Sequence, residues 1–331
     1  MEYKLRTEKS NITTMVEFIL LGFPDIPNSQ WILFGIFLVL YLTIVMCNSV
    51  IVPITRIDPA LQTPMYFFLN HFSILEICYV TLTIPRMLTD LLSQKGHISF
   101  IACATQMCLV LLLGGLECLL LAVMAYDRYV AICNPLHYGL IMSPQVCVQL
   151  VTASWVSGVP VVTGQTWQVF SLPFCQTCQI FSLPFCGSNL INHFFCDIPP
   201  ILKLACGDTF LNEMLVFTVA VLFVLIPFLL ILVSYGKIIS TILKLPSATS
   251  RGKAFSTCSS HLMVVALFFG SAIVTYLRPK MQGSAETDKV LSLFYTIVTP
   301  VFNPVIYSLR NKDVMMALRK WPGKHLRSLK K

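Results

Sequence analysis

Asp127 and Arg128 stand at the end of a long apolar run, within Met124-Ala125-Tyr126-Asp127-Arg128-Tyr129-Val130-Ala131-Ile132-Cys133. Charges are costly in a bilayer core, so such a pair marks function there. Glu76 and Glu117 lie deep within other apolar stretches and need a proton, each other or a cation. Val110, Gly114, Glu117 and Arg128 are spaced by near-whole helical turns, so they share one face. Along that face run small and apolar residues, then a carboxylate, then the terminal pair. The structural alternative is that Arg128 only snorkels to headgroups. His193, Cys196 and Asp197 are competent metal ligands in one short stretch, although a disulfide at Cys196 would remove its thiolate. No nucleophile-base-orienter set or phosphate-binding glycine loop is evident, which argues against an enzyme.

Membrane helices must position these residues. The 331-residue chain is 56% hydrophobic and 11% charged, with a mean hydropathy of +0.76, far too apolar for a soluble domain. Crossing a core of about 30 Å takes about 20 helical residues. Seven runs are long enough, near Trp31 to Thr55, Pro64 to Leu88, Ile101 to Ile132, Val146 to Gly164, Leu211 to Leu243, Ala254 to Tyr276 and Lys289 to Leu309. The expected fold is therefore an all-α integral membrane bundle of seven transmembrane helices. It divides into an outer segment 1–30, a bundle 31–309 carrying a long outer loop 165–210, and an inner tail 310–331.

Basic residues set the orientation. Arg310, Lys312, Arg319, Lys320, Lys324, Arg327, Lys330 and Lys331 mark a cytoplasmic tail, with Arg56, Lys237, Lys244, Arg251 and Lys253 on the same side. The net charge of +8 then reflects attraction to lipid headgroups rather than nucleic-acid binding. The tail should begin as a short amphipathic helix, with Val314, Met315 and Leu318 toward lipid and Lys312, Arg319 and Lys320 toward headgroups. No early apolar stretch ends in a small-residue cleavage site, so a removable signal peptide is not expected. Asn11-Ile12-Thr13 is an N-glycosylation acceptor that this orientation exposes to the lumen.

The Asp127-Arg128 string is one of several motifs in consistent order. Asn11 is followed by Glu17-Phe18-Ile19-Leu20-Leu21-Gly22-Phe23, then by Pro64-Met65-Tyr66-Phe67-Phe68-Leu69 on the second span. After the third span come Ser234-Tyr235-Gly236-Lys237, Lys253-Ala254-Phe255-Ser256-Thr257-Cys258-Ser259-Ser260-His261-Leu262 and Asn303-Pro304-Val305-Ile306-Tyr307. Together they resemble olfactory receptors within the rhodopsin-like G-protein-coupled receptors. That resemblance implies a plasma-membrane odorant receptor of olfactory sensory neurons, activating a stimulatory G protein that raises cyclic AMP. A trafficking chaperone is a further implied partner. It also implies activation roles for Asp127, Arg128, Tyr129, Tyr235, His261, Asn303, Pro304 and Tyr307, with Arg128 restrained at rest by Asp127 and inner-end contacts. Pro227 and Pro304 should each loosen their spans, because proline lacks the backbone donor. The family's usual acid on the second span appears here as Glu76. Glu76 and Glu117, with Asn48 and Asn303, are expected either to hold a sodium ion or to share one proton.

In the long loop, Gln168 to Cys175 is repeated eleven residues later as Gln179 to Cys186, where the family pattern has one copy. Of thirteen cysteines, the resemblance pairs Cys103 with Cys196 and Cys186 with Cys206, leaving Cys175 and Cys178 open. Cys47, Cys78, Cys108 and Cys118 read as buried fillers. The ligand pocket should be lined by Met107, Val110, Leu111, Gly114, Val219, Phe269, Ala272, Tyr276 and Thr296, a mostly apolar set suited to small neutral volatiles. No acid sits on the outer inward face of the third span, where a receptor for an amine ligand would need a counter-charge. The family commonly has Tyr where Phe269 stands. The alternatives are a family member disabled by the duplicated loop and an ion-coupled transporter, whose buried carboxylates would mark an ion path but whose paired repeats are missing.

Overall fold

The computed structural model describes residues 17–22, 30–93, 96–163, 180, 183, 185, 189–206, 208–244, 246–276, 285–309 and 313–320. Asn11, Cys175, Cys178 and Cys186 lie outside the described residues. Six helices are long and apolar enough to cross a membrane, and a bent pair, Pro135–Ile141 with Pro144–Gly158 at 64°, supplies a seventh candidate. The chain is a seven-span helical membrane bundle.

The spans are Gln30–Ile57, Pro64–Ser93, Phe100–Cys133, Pro144–Thr163, Phe210–Leu243 and Ala248–Tyr276, followed by a seventh assembled from Ala285–Leu293, Phe294–Val298 and Thr299–Leu309. Several overrun their apolar runs: the second continues to Ser93, and the sixth begins at Ala248 rather than Ala254. Hydropathy marks where lipid begins, whereas a helix continues into water until a cap or breaker ends it. The third span is the central post, buried along Met107, Val110, Leu113, Leu120, Leu121, Met124 and Ala125. The first and fifth spans instead turn many apolar residues outward, including Ile32, Val39, Met46, Leu229, Leu230 and Val233. In a bilayer that surface is satisfied by lipid.

The fifth and seventh spans each contain a π-helical turn, at Val221–Leu225 and Phe294–Val298. Each ends two residues before a proline, Pro227 and Pro300. A proline ring clashes with the preceding turn's carbonyl and donates no bond, and a wider turn accommodates both problems. In the seventh span the loosening therefore sits above Pro300. Pro304, the residue expected to cause it, lies inside the regular segment Thr299–Leu309.

The outer end carries a small sheet that apolar periodicity did not suggest. β1 (Glu17–Leu20) pairs antiparallel with β2 (His97–Ser99) and parallel with β3 (Leu190–Ile191), with Phe18 opposite Ile98 and Ile19 opposite Leu190. Gly96 makes the approach possible, since a Cβ there would lie 2.0 Å from the Leu20 carbonyl oxygen. Beneath the sheet Phe18, Ile98, Met107, Ile180, Ile191, Ile198 and Ile201 form a second core. Ile180, Leu183 and Phe185 belong to the second copy of the repeated loop segment, so that copy supplies outer-core packing.

At the inner end, a helix over 313–320 follows the seventh span. Val314 and Ala317 are buried in the main core, and Tyr66 Oη donates to Asp313 Oδ2 at 3.2 Å. Val314 therefore packs beneath the bundle and not toward lipid: the second span reaches under the helix and claims its apolar face. Arg319 and Lys320 are exposed, and Leu318 packs beside the core.

Candidate functional site

A cavity of about 90 Å³ lies between the third, fifth, sixth and seventh spans, with Gly158 of the fourth and Ile198 of the outer loop in its wall. Val110, Leu111, Gly114, Val219, Ala272 and Tyr276 line it, as placed from the sequence. Met107, Phe269 and Thr296 do not. Met107 is packed in the outer core beside the disulfide, and Phe269 stacks on Phe228 with centroids 5.4 Å apart while Phe268 faces the cavity. Thr296 lies in the π turn, whose wider step presents Tyr295 in its place. Tyr79, Gly115, Cys118 and Phe223 are further lining residues that the sequence did not single out. Glu117, on the same helix face as Val110 and Gly114, reaches the wall as well.

The two buried acids have different settings. Glu76 accepts from Asn48 Nδ2 at 2.9 Å and Asn303 Nδ2 at 2.6 Å, so donors from the first and seventh spans occupy its two oxygens. Glu117 lines the cavity, and its buried Oε1 has no hydrogen-bond partner. Of the proposed fillers, Cys108 and Cys118 are buried, but Cys78 is exposed and Cys47 half-exposed on lipid-facing helix surfaces.

The cavity roof is a polar network centred on Asp197. Cys103 and Cys196 form a disulfide that ties the outer loop to the third span, and Gln106 Oε1 accepts from Cys196 N at 3.0 Å. This fixes Asp197, which caps the short helix Ile198–Leu202 through Ile198 N at 2.8 Å. Its oxygens also accept from Tyr295 Oη at 2.6 Å and Tyr276 Oη at 3.3 Å. Burial raises the Asp197 carboxyl above its ordinary range, against the pull of these donors. Tyr295 Oη also reaches Ser292 Oγ at 3.1 Å, and Ser292 pairs with His193 Nε2 at 2.8 Å. Burial, reinforced by Lys289, pushes the His193 imidazole down to about 3. With Cys196 oxidised and His193 bound to Ser292, the His193, Cys196 and Asp197 stretch serves this roof rather than a metal. Cys206 is also disulfide-bonded, while Cys186 lies outside the described residues.

At the inner end, Asp127 and Arg128 point in different directions, as consecutive helical residues must. Asp127 Oδ1 accepts from Tyr138 Oη at 2.8 Å, and among the described residues no ion pair joins Asp127 to Arg128. Asp127 thus accepts a bond from the following inner loop while Arg128 stays within its electrostatic reach. Arg128 lies within electrostatic reach of Tyr235, His261 and Tyr307. Tyr235 Oη and His261 Nδ1 are 2.8 Å apart with stacked rings, joining the fifth and sixth spans. Asn303 is committed to Glu76, Tyr307 packs edge-on to Phe72, and Tyr129 lies beside Tyr126.

A seven-span bundle with a disulfide-tethered outer loop, a largely apolar cavity beneath it and a linked polar cluster at the inner end defines a membrane receptor of the G-protein-coupled class. The sequence profile described as olfactory receptor matches residues 37–322. Olfactory receptor 10AG1 of Homo sapiens is 64% identical over 311 residues, covering 94% of this chain and all of that protein. Human olfactory receptors 10A5 and 10A7 are 52% and 51% identical, covering 93% and 94% of this chain and 94% and 95% of their own lengths. The chain belongs to the olfactory receptor family, a receptor and not an enzyme family.

Proposed function

We propose that this chain is an odorant receptor in which a small, mostly apolar volatile binds the cavity beneath Asp197 and activates a stimulatory olfactory G protein, raising cyclic AMP. The observation that carries this reading is the largely apolar cavity bounded by the same spans whose inner ends hold Arg128, Tyr235 and His261. A ligand that packs better against one arrangement of these walls shifts the balance between two states of the bundle. Opening at the inner end would then separate Tyr235 from His261 and present Arg128 to the G protein. The site of action would be the plasma membrane of olfactory sensory neurons.

The test is odorant-evoked cyclic AMP in cells supplying the olfactory G protein, with surface staining and Arg128→Ala as control. A ligand-dependent rise lost in the variant at equal surface level is the expected result. Silence across a broad odorant panel at good surface staining would overturn the reading. The rival idea of a receptor disabled by its duplicated loop is weakened by the packing of Ile180, Leu183 and Phe185 in the outer core. Deleting 168–178 tests it: an unchanged surface level and response would mean that the insertion is neutral.

A further inference from the structure

Among the described residues lining the cavity, Glu117 is the only carboxyl. It is 3% exposed, and its Oε1 has no hydrogen-bond partner. The same cavity is lined by Val110, Gly114, Phe223, Phe268 and Ala272, which offer nothing polar, and by Tyr79, within electrostatic reach of Glu117. At the far end, the hydroxyls of Tyr276 and Tyr295 already donate to Asp197. The cavity therefore has a satisfied polar roof and, beside Tyr79 and Cys118, one unsatisfied acid in a mostly apolar wall.

We propose that Glu117 is the ligand's polar anchor, and that the ligand is a small neutral molecule whose apolar body ends in a hydrogen-bond-accepting oxygen, as in an aldehyde, ketone or ester. The proposal rests on the reading of this cavity as the odorant site. A carboxylate without a cation in apolar surroundings is costly, and among the described residues no basic one lines the cavity. The neutral acid removes that cost and supplies one O–H donor. A carbonyl oxygen needs only one donor and is satisfied. A primary ammonium brings three N–H donors. Glu117 could accept from no more than two of them, and the third would be buried among hydrocarbon. The cavity volume of about 90 Å³ restricts the apolar body to a short one.

The test titrates ligands of equal length, a ketone, a hydrocarbon and a primary amine, in the cyclic AMP assay at matched surface staining. Glu117→Gln keeps a donor in nearly the same volume, Glu117→Leu removes it, and Ala272→Phe fills the cavity from another wall. The half-maximal ketone concentration should rise roughly tenfold in Glu117→Leu and less than about threefold in Glu117→Gln. The hydrocarbon should respond equally in all three acid-site backgrounds, and Ala272→Phe should weaken every ligand.

An amine that is the best agonist and is lost in Glu117→Gln would make Glu117 a counter-ion and overturn the proposal. So would an equal shift for ketone and hydrocarbon in Glu117→Leu, the mark of a structural role. A sodium dependence of basal signalling that Glu117→Gln abolishes, with ketone potency unchanged, would assign Glu117 to a cation instead. If Ala272→Phe leaves every ligand unaffected, the odorant site is elsewhere and the reading of the cavity itself fails. If it blocks them all while Glu117→Leu does nothing, only the anchor fails.

Discussion

Replacing Asp197 with alanine should uncouple the cavity roof from the sixth and seventh spans. Asp197 is 2% exposed and accepts three bonds, from Ile198 N, Tyr295 Oη and Tyr276 Oη. Loss of the helix cap costs about 1 kcal/mol. Tyr295 keeps Ser292 Oγ as an acceptor 3.1 Å away, so it is not stranded. The Tyr276 hydroxyl loses its partner, at about 1–2 kcal/mol. The total is about 2–3 kcal/mol, or roughly 5 °C in the melting temperature of purified receptor. Burial raises the Asp197 carboxyl while its three donors pull the other way, so what the alanine variant removes is the acceptor itself. Asp197→Asn, which retains an acceptor oxygen, should therefore cost about 1 kcal/mol or less. Thermal unfolding of the three proteins in one detergent decides the matter. An Asp197→Ala melt within about 1 °C of wild type would refute the network, and Asn as damaging as Ala would show that charge carries it.

Other expectations follow from the same geometry. A Cβ on Gly158 would lie 2.4 Å from Leu112 Cδ1, so Gly158→Ala should turn Leu112 into the cavity; dose–response curves should show roughly tenfold weaker potency for the bulkiest agonists, recovered by Leu112→Ala. Tyr235→Phe removes a buried bond of 2.8 Å between the fifth and sixth spans, and basal cyclic AMP should rise roughly fivefold at equal surface level if that bond belongs to the resting state. His193 titrates near 3 when folded against 6.5 when exposed, so the unfolded chain takes up the proton first and stability falls as pH drops below 6.5. Between pH 6.5 and 5 the loss should reach about 2 kcal/mol, read as a falling melting temperature in an Asp197→Asn background that removes the opposing carboxyl, and His193→Gln should flatten it. Cys103→Ser opens a bond spanning 93 residues and should cost about 4 kcal/mol, seen as lost surface staining.

Apolar length is what made the spans readable, and their placement followed from it to within a few residues at most ends. What escaped was geometry that periodicity does not encode. A register of 3.6 residues per turn put Thr296 and Phe269 on the cavity wall, whereas Tyr295 and Phe268 occupy it. The error at Thr296 has a local source in the turn above Pro300, a residue whose backbone consequence was readable even though its effect on facing was not. The outer sheet joins Glu17, Ser99 and Ile191, strands of two to four residues whose pairing is set by distant chain segments and a close approach at Gly96. Asp127 is bound by Tyr138 because the short helical turns that follow the third span, Pro135–His137 and Tyr138–Ile141, fold back against it. Residues whose role depends on type alone, such as Cys103, Cys196 and Arg128, could be singled out without knowing any of this.

The distribution of irregular backbone suggests how the cavity reaches the inner end. The third span is unbroken from Phe100 to Cys133 and carries Cys103 at the roof, Gly114 and Glu117 at the cavity and Arg128 below. The fifth and seventh spans each have a π turn, and those turns contribute Phe223, Val224 and Tyr295 to the wall. On the proposed reading, a ligand in the cavity would touch one unbroken helix and the π turns of two neighbours. Rearrangement of either turn would move what lies below it, Tyr235 on the fifth span and Asn303 and Tyr307 on the seventh. Tyr235 is bonded to His261, and Asn303 to Glu76, so movement of the walls must be resolved at those two bonds. The third span supplies the fixed reference against which both displacements are felt, and Arg128 sits on it within electrostatic reach of both tyrosines.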